Sequence, residues 1–321
     1  MLTSLVLVKT LLTFMYSDLK LNKILETIAE KAQSLSGKGK IADYIPALAR
    51  VKPNQFGIAI CNINGETYTA GDAEKPFSIQ SISKLFTLIQ AIKTYGDQLW
   101  QWVGREPSGL RFNSLVQLES ENGIPRNPFI NAGALLVCDR LESRLSAPNY
   151  QLLEMLKSLS QNNMIKVNQQ VARSELNHGS RNAAMAYLMK AFHNFENPVE
   201  KVLESYSHHC AIEMSCVDLA RAAVLLANKG VPLSQERLLT AKQTKRVNAL
   251  LATCGLYDEA GDFAFKVGLP GKSGVGGGIL AVYPNNYTIC VWSPALNEAG
   301  NSLAGLYALE QLSDMLEISV Y

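Results

Sequence analysis

The chain contains a serine and a lysine whose spacing suits nucleophilic catalysis. Ser81 and Lys84 form a Ser-x-x-Lys motif at the start of an apolar helical pattern. Because residues three apart share one face of a helix, the hydroxyl and the amine can meet. Free backbone N–H groups and the positive end of the helix dipole would stabilise an anion that develops there. A buried lysine loses proton affinity through desolvation, so Lys84 could act as a general base toward the serine.

The same motif has a purely structural interpretation, in which Ser81 caps the helix and Lys84 extends to solvent. A second motif favours catalysis: Lys272-Ser273-Gly274, followed by further glycines, precedes a predicted strand. Small residues let the backbone approach a ligand closely, and an edge-strand N–H could complete an oxyanion hole. Ser-x-x-Lys early in the chain and Lys-Ser/Thr-Gly late is the pattern of penicillin-binding proteins and serine β-lactamases.

Motifs for other chemistries are absent or incomplete in the sequence. The glycines after Ser273 could simply form a tight turn. A nucleotide-binding loop is a poor match because Lys266 stands where the first glycine of that motif belongs. Neither His-Glu-x-x-His nor Gly-x-Ser-x-Gly occurs. A group of zinc-like ligands lacks a matched second pair: His208, His209, Cys210 and Cys216. We therefore expect no metal site.

Composition indicates a globular protein of ordinary character. The chain has 321 residues, of which 47% are hydrophobic and 18% charged, which suits one large domain or two closely packed lobes. The formal net charge is only +2, and no basic run is flanked by aromatics, so we expect no nucleic-acid partner. The six cysteines are scattered, often in apolar runs, which is typical of buried free thiols in a reducing compartment.

The first residues form an apolar run of doubtful role. Residues 1–15 contain a single charge, Lys9, which lies inside the run where a secretory signal would place its charges first. No small-residue cleavage site follows, and the run is too short to span a bilayer. A true start at Met15 is an alternative to any targeting role. We treat residues 1–18 as an N-terminal extension and expect a cytoplasmic protein without a membrane partner.

The elements predicted along the chain specify an α+β fold. An amphipathic helix over residues 19–35 precedes a hairpin of residues 56–63 and 66–70, which turns at Asn64-Gly65. Residues 81–250 read as helices, and a second hairpin of residues 278–283 and 287–292 precedes a helix over 301–317. The simplest arrangement is one antiparallel sheet made from both chain ends, flanked by helices. The sheet lobe would comprise residues 19–80 and 251–321, with an all-helical lobe, 81–250, inserted between them.

Longer segments make the sequence similar to a known family, the serine-dependent glutaminases of bacteria and animal mitochondria. The resemblance covers residues 37–316. It is carried by residues 42–46 (ADYIP), 77–84 (FSIQSISK), 106–113 (EPSGLRFN), 127–134 (NPFINAGA), 254–258 (CGLYD) and 263–275 (FAFKVGLPGKSGV). It implies a β-lactamase/DD-peptidase-like fold in a single catalytic domain, residues 19–321. It also implies cofactor-free hydrolysis of the side-chain amide of L-glutamine to L-glutamate and ammonia, and a homo-oligomer, specifically a homotetramer.

The resemblance also assigns roles to individual residues. Ser81 would be the nucleophile, Lys84 its base, and Tyr257 a proton donor to the departing ammonia or a partner of the Ser–Lys pair. The backbone N–H groups of Ser81 and Val275 would form the oxyanion hole. Six further residues would bind the amino-acid head group: Tyr44, Gln80, Asn131, Glu175, Asn182 and Tyr206. An acidic group suits the substrate ammonium, and neutral amides and hydroxyls suit its carboxylate.

Two other functions compete with this hypothesis. A β-lactamase or DD-peptidase needs Ser-Asp-Asn or Tyr-x-Asn between the two lysine motifs, whereas Tyr283-x-Asn285 follows the second one in a predicted turn. A non-catalytic glutamine sensor on the same fold is the other alternative. The presence of Ser81, Lys84 and Tyr257 weighs against it, because a binding module does not need them. Each head-group residue, taken alone, could also be a loop, capping or surface residue.

Overall fold

A computed structural model describes residues 20–109 and 114–321. The N-terminal extension and the alternative start at Met15 lie outside these residues. The helices are α1 (residues 20–33), α2 (Ser83–Tyr95), α3 (Leu115–Ser120), α4 (Asn131–Arg144), α5 (Pro148–Ser160), α6 (Gln169–Asn177), α7 (Ser180–Ala191), α8 (Val199–Cys210), α9 (Cys216–Ala227), α10 (Ala241–Cys254), α11 (Ala260–Lys266) and α12 (Leu303–Leu316). The strands are β1 (Gly57–Asn62), β2 (Thr67–Gly71), β3 (Phe77–Ser78), β4 (Lys166–Val167), β5 (Ile212–Met214), β6 (Gly271–Gly274), β7 (Gly278–Tyr283) and β8 (Tyr287–Trp292). Within the described ranges, no helix is long and apolar enough to cross a membrane.

The main sheet is antiparallel and is built from both ends of the chain, which confirms the predicted α+β arrangement. Its strand order is β2-β1-β8-β7-β6, so the first hairpin joins the second through the β1–β8 pair. In that pair Ile58 lies opposite Val291 and Ala59 opposite Cys290. Strand β6 forms one edge of the sheet, as the oxyanion-hole interpretation of its glycines requires.

The two faces of the sheet carry different side chains because successive residues of a strand point to opposite sides. Ile58 and Ile60 face a layer formed by α1, α11 and α12, which packs through residues such as Leu25 and Leu312. The other face carries small residues such as Ala59 beside the large ring of Trp292, and α9 lies across it. The sheet is therefore buried on both sides, and α9 joins it to the remaining helices.

The first hairpin turns differently from a two-residue Asn-Gly hairpin. Its strands are joined by residues 63–66. Of Asn64 and Gly65, only Gly65 has a positive φ, at 91°. The Asn62 side-chain oxygen accepts the backbone N–H groups of Asn64 and Glu66, both at 3.0 Å. The Asn62 side chain replaces part of the backbone pairing. The turn therefore lies at the predicted position, but it is longer than a two-residue turn.

A second, three-stranded sheet lies partly within the region predicted as helical, and that prediction is wrong at this point. Its order is β3-β5-β4, with Phe77 opposite Met214 and Lys166 opposite Glu213. Strands of two or three residues are too short to show an alternating pattern, so no feature of the sequence predicted these strands. The β3–β5 pairing fixes the chain just before Ser81.

Candidate active site

Ser81 lies in a short turn that leads into helix α2. Residues Gln80–Ile82 form a 3-10 helix, and α2 begins at Ser83 with Ile82 as its N-cap and no side-chain cap. Ser81 is therefore not the N-cap that the structural interpretation requires. A hydrogen bond joins its hydroxyl to that of Tyr257. Gln80 has a φ of 49°, a left-handed conformation that is costly for a non-glycine residue and is common at functional sites.

Lys84 is buried in the first turn of α2, with 3% of its surface exposed. Its Nζ donates to Asn131 Oδ1 at 2.6 Å and to the Phe129 carbonyl at 3.3 Å. The Tyr206 ring centre lies 5.9 Å away. Burial lowers the pKa of Lys84 to about 8, although nearby acidic groups such as Glu175 oppose this shift. The lysine therefore does not extend to solvent, contrary to what the structural interpretation of the motif predicts.

Edge strand β6 approaches the Ser81 turn through its glycines. A Cβ on Gly274 would lie 2.6 Å from the Ile79 carbonyl oxygen and 3.2 Å from the Ser81 backbone nitrogen. Only glycine permits this approach. The following turn is held by Trp292, whose Nε1 donates to the Gly276 carbonyl at 3.0 Å. Val275 follows directly after the strand, so its backbone lies next to that of Ser81.

Lys272 lies beneath Tyr257 and is fully buried. Its Nζ donates to the Gly255 carbonyl at 2.9 Å and the Ser273 carbonyl at 2.7 Å, and lies 4.6 Å from the centre of the Tyr257 ring. Burial lowers the pKa of Lys272 well below its usual value, and the positive charge of Lys84 acts in the same direction. The sequence shows Lys272 only as part of the Lys-Ser-Gly motif. Its contact with Tyr257 was not predicted, because that contact arises from tertiary packing.

Tyr257 occupies a second strained position of the site, with a φ of 52°. Burial raises the pKa of its hydroxyl, and the hydrogen bond to Ser81 opposes that shift. The hydroxyl is therefore protonated at neutral pH and is placed against the serine.

The nine predicted substrate-binding residues all line one cavity of about 520 Å³. They are Tyr44, Gln80, Ser81, Asn131, Glu175, Asn182, Tyr206, Tyr257 and Val275. Sequence analysis did not select the remaining lining residues, which lie mostly at the rim: Ile45, His178, Gly179, Arg181, Asp258, Glu298 and Ala299. Two of them, Ile45 and Asp258, lie in segments that carry the family resemblance, whereas the others lie in loops and at helix ends. Lys84 is not in the lining and lies buried beneath it.

The cavity combines one acidic group with neutral donors and acceptors. Burial raises the pKa of Glu175 to about 7, while a hydrogen bond from Gln80 and the charge of Lys84 lower it. The Oε1 atom of Glu175 is buried and has no hydrogen-bond partner among the described residues, so it can accept a hydrogen bond from a ligand. Asn131 donates to the Asn182 side-chain oxygen at 3.0 Å. Glu175 is thus no solvated surface charge. Across the described ranges, no group of three or more His, Cys, Asp or Glu residues is placed to hold a metal.

The fold and the cavity define a class: an α+β protein with one polar pocket, lined by a serine and a tyrosine that are hydrogen-bonded to each other, and with a lysine buried close to the serine in sequence. A protein-family model described as Glutaminase matches residues 39–321. Known glutaminases are similar over nearly the whole chain. That of Aeromonas hydrophila is 61% identical over 302 residues, covering 94% of this chain and 99% of the relative. That of Marinomonas sp. is 60% identical, covering 93% and 99%. The chain belongs to the glutaminase family.

Solved structures agree with this membership. A Bacillus glutaminase superposes with a TM-score of 0.85 at 33% identity, covering 94% of this chain and 99% of that one. A structure described as Mglu in its glutamate form superposes with a TM-score of 0.86 at 32% identity, covering 93% of this chain and 69% of that one.

Proposed function

We propose that the chain hydrolyses L-glutamine to L-glutamate and ammonia through an acyl-enzyme on Ser81. The observation that carries the proposal is the convergence of the predicted residues on one cavity, with the Ser81 hydroxyl at its base above buried Lys84. Relatives that are 57–61% identical are glutaminases. The solved glutamate form of Mglu supports a pocket for the product amino acid.

The cavity suits the zwitterionic head group of glutamine. The substrate ammonium binds the Glu175 carboxylate, whose Oε1 has no hydrogen-bond partner in the absence of a ligand. The substrate carboxylate binds the side-chain amides of Asn131 and Asn182 and the hydroxyls of Tyr44 and Tyr206. Neutral donors orient this carboxylate without attracting every anion, while Glu175 repels substrates that lack an ammonium.

The reaction is acyl transfer in two steps. Ser81 Oγ transfers its proton to neutral Lys84 and attacks the side-chain amide carbon, and the backbone N–H groups of Ser81 and Val275 stabilise the oxyanion. The C–N bond breaks as Tyr257 gives a proton to the departing ammonia. Lys84 passes the proton that it took from Ser81 to Tyr257, which restores both groups. Water then attacks the γ-glutamyl ester and gives one proton to Lys84, and Lys84 returns that proton to Ser81 Oγ as glutamate leaves. Because the pKa of Lys84 is about 8, a useful fraction of the base is neutral near physiological pH.

The proposal includes four further features: domain organisation, location, assembly and the absence of a cofactor. The catalytic unit is a single domain, residues 19–321, with the lobe bounds given above. The protein functions as a cytoplasmic homotetramer without a cofactor. Light scattering on the purified protein tests the assembly, and a smaller mass at working concentration would contradict it.

Ammonia release from glutamine by the purified chain tests the reaction. Ser81→Ala should abolish it, whereas Ser313→Ala, which removes another buried serine hydroxyl in α12, should not. Asparagine and a chromogenic β-lactam serve as control substrates. Acylation by the β-lactam without glutamine turnover would favour the penicillin-recognising enzymes. Glutamine binding without any turnover would favour the sensor.

A further inference from the structure

The segment that carries Tyr257 is fixed at its end by a carboxylate. Tyr257–Glu259 form a one-turn 3-10 helix with no side-chain cap at its start. The two carboxylate oxygens of Glu259 accept the side-chain amide of Asn297 at 2.9 and 3.0 Å. One of them also accepts the side-chain amide of Asn301 at 2.5 Å. We call these contacts of Glu259 with Asn297 and Asn301 the Glu259 clamp. Asn301 is fully buried, so its side chain has little freedom to move.

The loop that supplies these two amides is itself closed by hydrogen bonds. The Asn297 side-chain oxygen accepts the backbone N–H groups of Ala299 at 3.1 Å and Asn301 at 3.0 Å. The backbone N–H of Asn297 donates to the Asn301 carbonyl at 2.8 Å. Just before it, Leu296 pairs with Lys40 through two backbone hydrogen bonds of 2.9 Å. The loop over 297–301 is therefore a rigid part of the pocket rim, to which Ala299 contributes.

Tyr257 depends on support from outside its own turn. Its left-handed φ of 52° is unfavourable for a residue with a side chain, so the surrounding structure must hold it. In this conformation its hydroxyl is hydrogen-bonded to Ser81. Lys272 contacts the ring from below, but Glu259 is the residue of the same turn that is bonded to the pocket rim.

We infer that Glu259 is a positioning residue for glutamine hydrolysis, which holds the Tyr257 hydroxyl against Ser81 by tying its turn to loop 297–301. The inference rests on the proposed function, in which Tyr257 gives a proton to the leaving ammonia. Glu259 itself does not line the cavity, whereas its neighbours Tyr257 and Asp258 do. We expect its effect on the reaction to pass through Tyr257, and the Tyr257→Phe background distinguishes this route from one through Asp258 or Ala299, which also line the cavity.

A double-mutant cycle on the full-length chain tests this dependence. Glu259→Gln retains one acceptor oxygen but sets an amide against two donors, and Glu259→Ala removes both oxygens. Each should lower kcat by about 10- to 100-fold with KM changed less than about threefold, because displacement of a catalytic group by about 1 Å has effects of this size. With Tyr257→Phe as the background, the same substitutions should change kcat less than about twofold. Asp262→Asn is the matched control, since that exposed carboxylate pairs only with Lys266, at 2.9 Å.

The outcomes separate the inference from the proposed function. An equal fall of kcat in both backgrounds, or no fall in either, would overturn the positioning role. Absence of ammonia release by the unmodified chain would refute the proposed function instead. Amide hydrogen exchange over residues 256–260 then still decides the role of Glu259, because it needs no turnover. Exchange about tenfold faster in Glu259→Gln than in Asp262→Asn supports the clamp, and equal exchange overturns it.

Discussion

At the scale of single residues, burial sets the chemistry of the site. Desolvation penalises whichever form is charged, so it lowers the pKa of Lys84 to about 8 and raises that of Glu175 to about 7. The two values approach each other from opposite sides. The proposed mechanism requires a neutral Lys84 and an ionised Glu175, and raising the pH through these two pKa values favours both forms.

The pH dependence of kcat/KM follows from these two groups. Below about pH 7, Lys84 is protonated and cannot accept the Ser81 proton, and Glu175 becomes neutral and loses its attraction for the substrate ammonium. We expect kcat/KM to rise with pH between about 6 and 8, with a slope approaching two on logarithmic axes at the acidic end. Initial rates of ammonia release in constant-ionic-strength buffers measure this profile. A flat profile over that range would contradict the assignment of Lys84.

Glu175→Gln separates the two titrations. The substrate ammonium would lose an ionic partner, and hydrogen bonds to charged groups are worth about 1.5–3 kcal/mol, so KM should rise by about 10- to 150-fold. The pH profile should keep only the Lys84 limb, with a slope of one. Glu213→Gln provides the control, since that side chain bonds Asn168 at 2.8 Å outside the cavity. An unchanged KM in Glu175→Gln would place the ammonium elsewhere.

At the scale of elements, the site depends on how closely edge strand β6 approaches the turn before α2. Gly274→Ala would place a Cβ 2.6 Å from the Ile79 carbonyl oxygen, so backbone must move. We expect a stability loss of about 1–3 kcal/mol by urea unfolding, together with a lower kcat as the Ser81 and Val275 backbones separate. Gly261→Ala is the control, because its Cβ meets nothing within 4 Å and alanine favours helix α11. Equal effects of both substitutions would contradict the close approach.

The sequence was informative where a pattern extended over several residues and failed where contacts were purely tertiary. The two hairpins and the long helices follow from alternation and helical spacing, and the second hairpin turns at residues 284–286 as predicted. Strands β3, β4 and β5 are too short for any such signal. The Glu259 clamp and the placement of Lys272 under Tyr257 join residues that no spacing rule connects. The predicted roles of the pocket residues came from family resemblance, whereas the structure supplies their convergence.

At the scale of the whole molecule, the cavity is shared between the sheet and the helices. Tyr257 and Val275 reach it from the segments around β6, whereas Glu175 and Tyr206 reach it from α6 and α8. A ligand that binds both sides stabilises only the arrangement in which they are held together. The free energy of binding then adds to the free energy of unfolding of the whole molecule, and both lobes unfold together.

L-glutamate should therefore raise the melting temperature of the entire chain. At about 100 times its Kd a ligand adds about 2.7 kcal/mol, which for a chain of 321 residues corresponds to about 4 °C. Calorimetry should show one transition that moves as a whole, and D-glutamate, whose ammonium cannot reach Glu175 with the same geometry, should move it less. Glu175→Gln should reduce the shift, while Glu213→Gln should keep it. Two transitions, of which L-glutamate moves only one, would mean that the lobes unfold independently and would contradict the single catalytic domain.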